Sequence, residues 1–225
     1  MEQSLKGLSE RTLRLLTMAK NTLGRAVWAL CEQNSEAARQ VLQDEDSINE
    51  LTDRINQDCL NFIEAFHPSG RELRFATSVM QMIRDLERIG DYGRNIAREA
   101  FQLLGCERFG PPAALLAMAR LVEQMLDLCA FALNSGQAEP VLKVFPLDDR
   151  VDDLQDQASR EFLALIAEQP SRLAWLWRLL GVARALERGG DRATNVAEQV
   201  YYICSGTRTQ GSQWRRPRPV CGRGA

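Results

Sequence analysis

The sequence predicts an all-α protein built as a tandem repeat of two antiparallel three-helix bundles, six helices in all. Three observations predict it. One stretch of the chain recurs at an offset of 100 residues. Apolar residues return every three or four positions, the helical period. Proline and glycine clusters fall where a bundle needs its turns, and short connections make consecutive helices antiparallel neighbours.

The recurrence is clearest at Arg84-Asp85-Leu86-Glu87-Arg88-Ile89-Gly90-Asp91, which returns as Arg184-Ala185-Leu186-Glu187-Arg188-Gly189-Gly190-Asp191. Arg84, Leu86, Glu87, Arg88, Gly90, Asp91, Asn95 and Ala97 all have identical partners 100 residues on. Fixed-offset similarity marks duplicated modules. The modules are expected at 1–106 and 112–204, with an arginine-rich, disordered tail at 205–225.

The first helix is expected over 8–31, on the apolar series Leu8, Leu15, Leu16, Leu23, Val27, Leu30 and Cys31. Asn34-Ser35 interrupts it, and either residue suits an N-cap. The second helix is expected over 36–66, with a narrow core stripe of Ile48, Leu51, Ile55, Cys59, Phe62 and Phe66. An acidic row, Asp46, Asn49, Glu50 and Asp53, runs beside it. His67-Pro68-Ser69-Gly70 breaks the chain, because the residue before proline is pushed out of helix. The third helix is expected over 71–104, with Phe75, Val79, Met82, Leu86, Ile89, Gly93, Ile96, Ala100 and Leu103 inside. Gly90 and Gly93 are costly in a helix interior, each by about 1 kcal/mol against alanine. A glycine there lets a neighbouring backbone or a ligand approach closely.

Residues 105–112 read as the linker between modules. The pattern then restarts with a helix over 113–133. Asn134-Ser135 repeats Asn34-Ser35, and Asp149-Arg150-Val151-Asp152-Asp153-Leu154 echoes Asp46-Ser47-Ile48-Asn49-Glu50-Leu51 with a three-residue drift. Pro140 and Pro146 have no counterparts and are expected to shift or kink the start of the helix they precede. Gln169-Pro170 stands where His67-Pro68 stood, and a last helix is expected over 171–203.

Composition narrows the function. The chain of 225 residues is 45% hydrophobic and 26% charged with a formal net charge of −2, which gives no reason to invoke nucleic acid. Five arginines lie in 205–225 with no acid, so the body carries 23 basic and 30 acidic residues, a net −7. Such a surface attracts cations or basic partners. No run approaches the ~18 apolar residues of a membrane span, and the N-terminus has no signal-peptide core; a cytoplasmic protein is expected. Cys31, Cys59, Cys106, Cys129, Cys204 and Cys221 lack the spacing of a zinc site. They read as buried thiols in a reducing compartment. There is no Gly-rich phosphate loop, nucleophile elbow or Cys/His pair.

The candidate site is acidic. Glu87 and Asp91 are four apart, as are Glu187 and Asp191, which sets their Cβ atoms roughly 5–6 Å apart on one helix face. Carboxylates this close repel unless something positive lies between them, an arginine or a cation. Helices two and three face each other, so Asn49 and Asp53 can meet Glu87 and Asp91, and Asp152 and Asp156 can meet Glu187 and Asp191. Oxygen-only clusters suit hard or borderline cations such as Mg, Mn, Fe or Ca. The bland alternative is ion pairing, Arg84 with Glu87 and Arg88 with Asp91. Glu64-Ala65-Phe66-His67 is an E-x-x-H, but His67 is the one histidine of the chain and ends a helix, so a di-iron reading fails. Trp175 and Trp177, two apart, point to different faces, one of which suits a contact surface.

These residues resemble the PhoU family of phosphate-signalling regulators. Leu86-Glu87-Arg88-Ile89-Gly90-Asp91 followed by Asn95-Ile96-Ala97 resembles the family's signature helix. Leu186-Glu187-Arg188-Gly189-Gly190-Asp191 followed by Asn195-Val196-Ala197 resembles its second copy. The resemblance covers roughly 8–204. It implies two three-helix modules and, in some members, multinuclear clusters of divalent or trivalent metal (Fe, Mn, Mg, Zn or Ni) on the acidic pairs. That would put Glu87, Asp91, Glu187 and Asp191 first as ligands, then Asn49, Asp53, Asp152 and Asp156. Asn49 is a weaker ligand than a carboxylate, and Gly189 departs from the branched residue usual at that place. The resemblance further implies a non-enzymatic negative regulator of phosphate uptake and of the phosphate-starvation response. Such a protein is a homodimeric adaptor that contacts a membrane sensor histidine kinase (PhoR) and the ATPase subunit of the phosphate ABC transporter (PstB). A carboxylate-bridged metalloenzyme and a purely structural helical partner are the competing readings.

Overall fold

The computed structural model describes residues 1–43, 45–103 and 113–209. Among them every regular element is helical: α1 (Glu2–Cys31), α2 (Ser35–Gln43), α3 (Glu45–Phe66), α4 (Gly70–Gln102), α5 (Ala113–Ser135), α6 (Val144–Glu168) and α7 (Leu173–Ser205). Short 3-10 turns at Glu139–Lys143 and Pro170–Arg172 lead into α6 and α7. The expected linker over 105–112, the tail beyond Thr209, Cys106, Cys221 and the side chain of Asp46 lie outside the described residues.

The expected stripes form the core. Leu8, Leu15, Leu16, Leu23 and Val27 of α1 are buried, as are Ile48, Leu51, Ile55, Cys59 and Phe62 of α3 and Val79, Met82, Leu86, Ile89, Ile96 and Ala100 of α4. One contiguous apolar cluster runs through both modules. The modules meet where α1 lies along α5 and α4 along α7, while α3 packs on α4 and both α5 and α6 pack on α7. Ion pairs bridge the halves at the surface, Lys20 with Asp127 at 2.6 Å and Arg178 with Glu99 at 2.8 Å. Exposed pairs of this kind contribute roughly 0–1 kcal/mol each, so the buried seam holds the halves together.

The structure corrects two expectations, the burial of Phe66 and the cap at Asn134-Ser135. The helix expected over 36–66 is described on both sides of position 44, as α2 and α3, and position 44 itself lies outside the described residues. Ala38 and Val41 pin α2 to the core on its own account. Phe66, expected inside, is 42% exposed. It is the last residue of α3, and His67 beyond it takes φ 43°, which turns the chain away. Asn134-Ser135 does not open a new helix as Asn34-Ser35 does. The Asn34 carboxamide oxygen accepts from Ala37 N–H at 3.0 Å and caps α2. In the second module α5 runs through Ser135, Gly136 adopts φ 72°, and a 3-10 turn containing Pro140 replaces the counterpart of α2. Pro146 sits in the first turn of α6, where a missing N–H costs no helical hydrogen bond.

Ser69 occupies the N-cap of α4 without a side-chain capping bond. Gly206 closes α7 with φ 79°, its N–H donating to the Tyr202 carbonyl. The first residues of the expected tail are placed against that end: the Arg208 guanidinium lies 5.1 Å from the Tyr202 ring centroid, and Arg74 approaches the same ring at 5.6 Å. No helix among the described residues is long and apolar enough to cross a membrane.

Candidate functional site: the paired acidic motif

Residues 81–90 of α4 and 181–190 of α7 have the same burial class at every position. Leu86 and Leu186 point inward, and Glu87 and Glu187 are half-buried on the rim beside them. Each motif glycine receives the neighbouring helix. A methyl group at Gly90 would meet Ile48 Cδ1 at 3.0 Å, and one at Gly190 would meet Val151 Cγ1 at 3.5 Å. Ile48 and Val151 are related by the three-residue drift of the sequence echo, so both modules dock the same way.

The acids are handled differently in the two modules. In the first, Glu87, Asp91 and Asn49 come together with Thr22, Val41 and Ile48 in a seam too tight to hold a water-sized sphere. The Arg94 guanidinium enters this seam and donates to Asp91, while Arg88 Nη1 reaches the other carboxylate oxygen at 3.3 Å. The Arg94 side chain is only 13% exposed. Burial lowers its pKa, and neighbouring Arg98 lowers it further. The positive charge demanded by the Glu87/Asp91 pair is therefore an internal arginine. Asp53 is exposed and does not line the seam.

In the second module Thr194 stands where Arg94 stood. Its hydroxyl donates to the Asp191 backbone carbonyl at 2.7 Å. The acid closest to the motif is one that the sequence reading missed. Asp148 of α6 is 1% exposed, and its Oδ1 lies 2.7 Å from where a methyl group at Gly190 would stand. Asp149 is 8% exposed, Asp152 is half-buried and Asp156 is exposed. A signal for Asp148 was present, since it precedes Asp152 by four residues and so shares its helix face.

These positions bear on metal binding. Among the described residues no group of three or more His, Cys, Asp or Glu is disposed to hold a metal ion. The first module does not fit a metal, because its third residue is a neutral amide and a guanidinium sits on Asp91. The second has acids and no arginine at the corresponding place, with Asp148 against Gly190 and Thr194 in place of Arg94, but its carboxylates are not gathered into a group of three or more either. His67 follows the last residue of α3 with a left-handed φ of 43°. Cys31, Cys59, Cys129 and Cys204 are free thiols. Burial pushes Cys59 and Cys129 up to about 12 and Cys31 up to about 11, as expected of packed rather than reactive cysteines. Of the two tryptophans, Trp175 packs against the core and Trp177 is 62% exposed.

The outer faces of the two motif helices meet along a groove. Arg192 Nη1 donates to Asp85 Oδ1 across it at 3.1 Å. Hydrogen bonds to Tyr92 and then to Asp85 raise the Arg192 pKa.

The chain matches the family model of the PhoU domain twice, over residues 12–100 and 115–200. It is 32% identical over 213 residues to a phosphate-specific transport system accessory protein PhoU homolog of Synechocystis, covering 92% of each chain. To the corresponding Pseudomonas aeruginosa protein it is 30% identical over 206 residues, covering 90% of this chain and 84% of that one. The crystal structure of PhoU from Pseudomonas aeruginosa superposes with a TM-score of 0.86 at 29% identity, covering 92% of this chain and 99% of that one. The phosphate transport system regulatory protein PhoU from Streptococcus pneumoniae gives 0.84 at 25% identity, covering 93% and 99%. Proteins of this kind are regulatory accessory proteins and not enzymes, which removes the metalloenzyme reading. Both halves of the duplication fall inside the match, and this chain belongs to the PhoU family.

Proposed function

We propose that this protein is an accessory regulator of phosphate transport that restrains phosphate uptake and the phosphate-starvation response when phosphate is plentiful. The observation that carries the reading is the double family match, one match to each copy of the motif, among relatives named as accessory proteins of a phosphate-specific transport system. The work of such a protein is contact. It is a cytoplasmic helical adaptor, a homodimer, that touches the transporter ATPase subunit (PstB) and a sensor histidine kinase (PhoR). Deleting the gene in its own host is the test. Expression of phosphate-starvation genes in high phosphate should rise, and unchanged expression would refute the proposal. Co-purification with the ATPase subunit and the kinase, and sedimentation of the isolated protein, test the partners and the dimer.

Metal binding belongs to the second module in this reading. Asp148, Asp152, Glu187 and Asp191 would supply the donors once drawn together by the ion, since the described residues hold no preformed group of three or more such side chains, and hard cations suit all-oxygen donors. The observation favouring it is the buried Asp148 carboxylate against Gly190. Elemental analysis of untagged protein beside a Glu87→Gln/Glu187→Gln double variant decides the matter. Metal in the wild type that is lost in the variant supports acidic ligation; metal in neither refutes it.

A further inference from the structure

The groove between α4 and α7 is lined on one side by Arg88, Arg94 and Arg98 and on the other by Arg188 and Arg192. It is open to solvent and holds about 450 Å³, with Tyr92, Asn95 and Asp91 completing its lining. An adjoining recess adds Asp191, and Asp85 lies within reach of Arg192. Counting all three acids against the five arginines still leaves a net charge of +2. This local excess stands on a body whose residues 1–204 carry a net −7. The arginines are also crowded against one another. Arg94 and Arg98, and Arg188 and Arg192, are i,i+4 pairs of like charge on one helix face. Burial lowers the pKa of Arg94 most, and the neighbouring charge of Arg98 lowers it further.

We propose that this groove binds a compact polyanion bearing two or more phosphoryl groups. Planar guanidinium forks match phosphoryl oxygens in pairs, and five line this groove from two helices, Arg88 and Arg94 shared with Asp91 and Arg192 with Asp85. The volume lies within the ordinary range for a small-molecule site. It is generous for one orthophosphate and suited to a chain of linked phosphoryl groups. Tyr92 is the aromatic in the lining, and the remainder is polar, so the site offers little to a nucleobase. The groove joins the two modules, so an anion held there would tie α4 to α7. The proposal does not depend on the regulatory role given above.

Calorimetric titration of the full chain with sodium tripolyphosphate tests it, with orthophosphate, ATP and a poly-glutamate peptide as comparators. Tripolyphosphate should bind at one site per chain, more tightly than orthophosphate, no less tightly than ATP, and more weakly as salt rises. An Arg98→Gln/Arg188→Gln variant, altered at two exposed positions, should fold normally by circular dichroism and bind at least about tenfold more weakly, two of five charge-assisted contacts being gone. The single Arg188→Gln variant should fall between. Three results would overturn the proposal. One is undiminished binding by the double variant, which would move the anion to another basic segment such as the C-terminal arginines. Another is orthophosphate binding as tightly as tripolyphosphate. The last is poly-glutamate competing on equal terms, which would mark the groove as a seat for an acidic protein segment.

Discussion

Gly93 is the point at which α1 and α4 approach most intimately, and replacing it by alanine tests how tightly the first module is closed. A methyl group at 93 would stand 2.9 Å from Thr22 Cγ2 and 3.0 Å from both Leu23 N and Thr22 C. Carbon contacts are comfortable from about 3.5 Å, so α1 must retreat by roughly half an ångström. Two of the three atoms are backbone, which no rotamer change can move aside. Overpacking of this kind costs about 1–3 kcal/mol, and an obstacle made of backbone belongs at the upper end. Helix propensity returns about 1 kcal/mol on exchanging glycine for alanine. The balance is a loss of ~2 kcal/mol, or roughly 4–8 °C in Tm for a chain of this size. Gly181 supplies the control, because it lies exposed in α7 with nothing within 4 Å of an added methyl group. Gly181→Ala should gain the propensity term alone, about 0.5–1 kcal/mol. Urea unfolding of both variants beside wild type gives the answer. A Gly93→Ala midpoint at or above wild type would refute the close approach.

Gly190→Ala should lose about 1–3 kcal/mol by displacing the buried Asp148 carboxylate, while Gly90→Ala meets only the flexible end of Ile48 and should cost under about 1 kcal/mol; thermal unfolding of the pair checks the order. Arg94→Thr, which copies the second module, should cost about 1–3 kcal/mol by taking an almost buried cation from Asp91, and equal stability to wild type in urea would contradict the internal-cation reading. Glu123 of α5 has its carboxyl raised first by burial, with Lys20 opposing. An acid raised in the folded state supports folding fully below its ordinary pKa, and that support is lost as pH rises through the raised value. Glu123→Gln should therefore be the more stable protein at neutral pH and lose that advantage near pH ~4; a gap independent of pH would show the shift to be absent. Cys59 and Cys129, pushed up to about 12, should resist iodoacetamide in the native protein at mildly alkaline pH and react in denaturant, with mass spectrometry counting the adducts.

What the sequence could and could not reveal follows from the range of each interaction. The stripes of α1, α3 and α4 were legible because one-sided burial repeats every three or four residues whatever the partner. The exposure of Phe66 was not, because it keeps the spacing of the stripe up to the last residue of α3 and only the turn at His67 takes it out of the core. Arg94 escaped notice for a different reason. A search for recurring residues selects those that the modules share, and Arg94 faces Thr194. Asp148 lay one position outside the echoed segment, hidden by the three-residue drift between α3 and α6. The arginine groove was beyond reach, since Arg98 and Arg188 are 90 residues apart in sequence and face each other only once α4 lies along α7.

The duplication was the strongest reason to expect a common ligand at both acid pairs, and the structure gives it another cause. What the two copies share is the docking of a branched side chain onto a motif glycine, Ile48 on Gly90 and Val151 on Gly190, within an identical burial pattern. What they do not share is the treatment of the carboxylates. Asp91 is held by Arg94 and Arg88, whereas the second copy has Thr194 in place of Arg94 and a buried Asp148 against Gly190. A ligand common to both sites would demand common surroundings for the acids, and the surroundings have diverged. Helix docking demands only the glycine and its neighbours, and those have been kept. The register of the motif is thus a packing constraint, and it does not oblige the two acid pairs to serve one purpose.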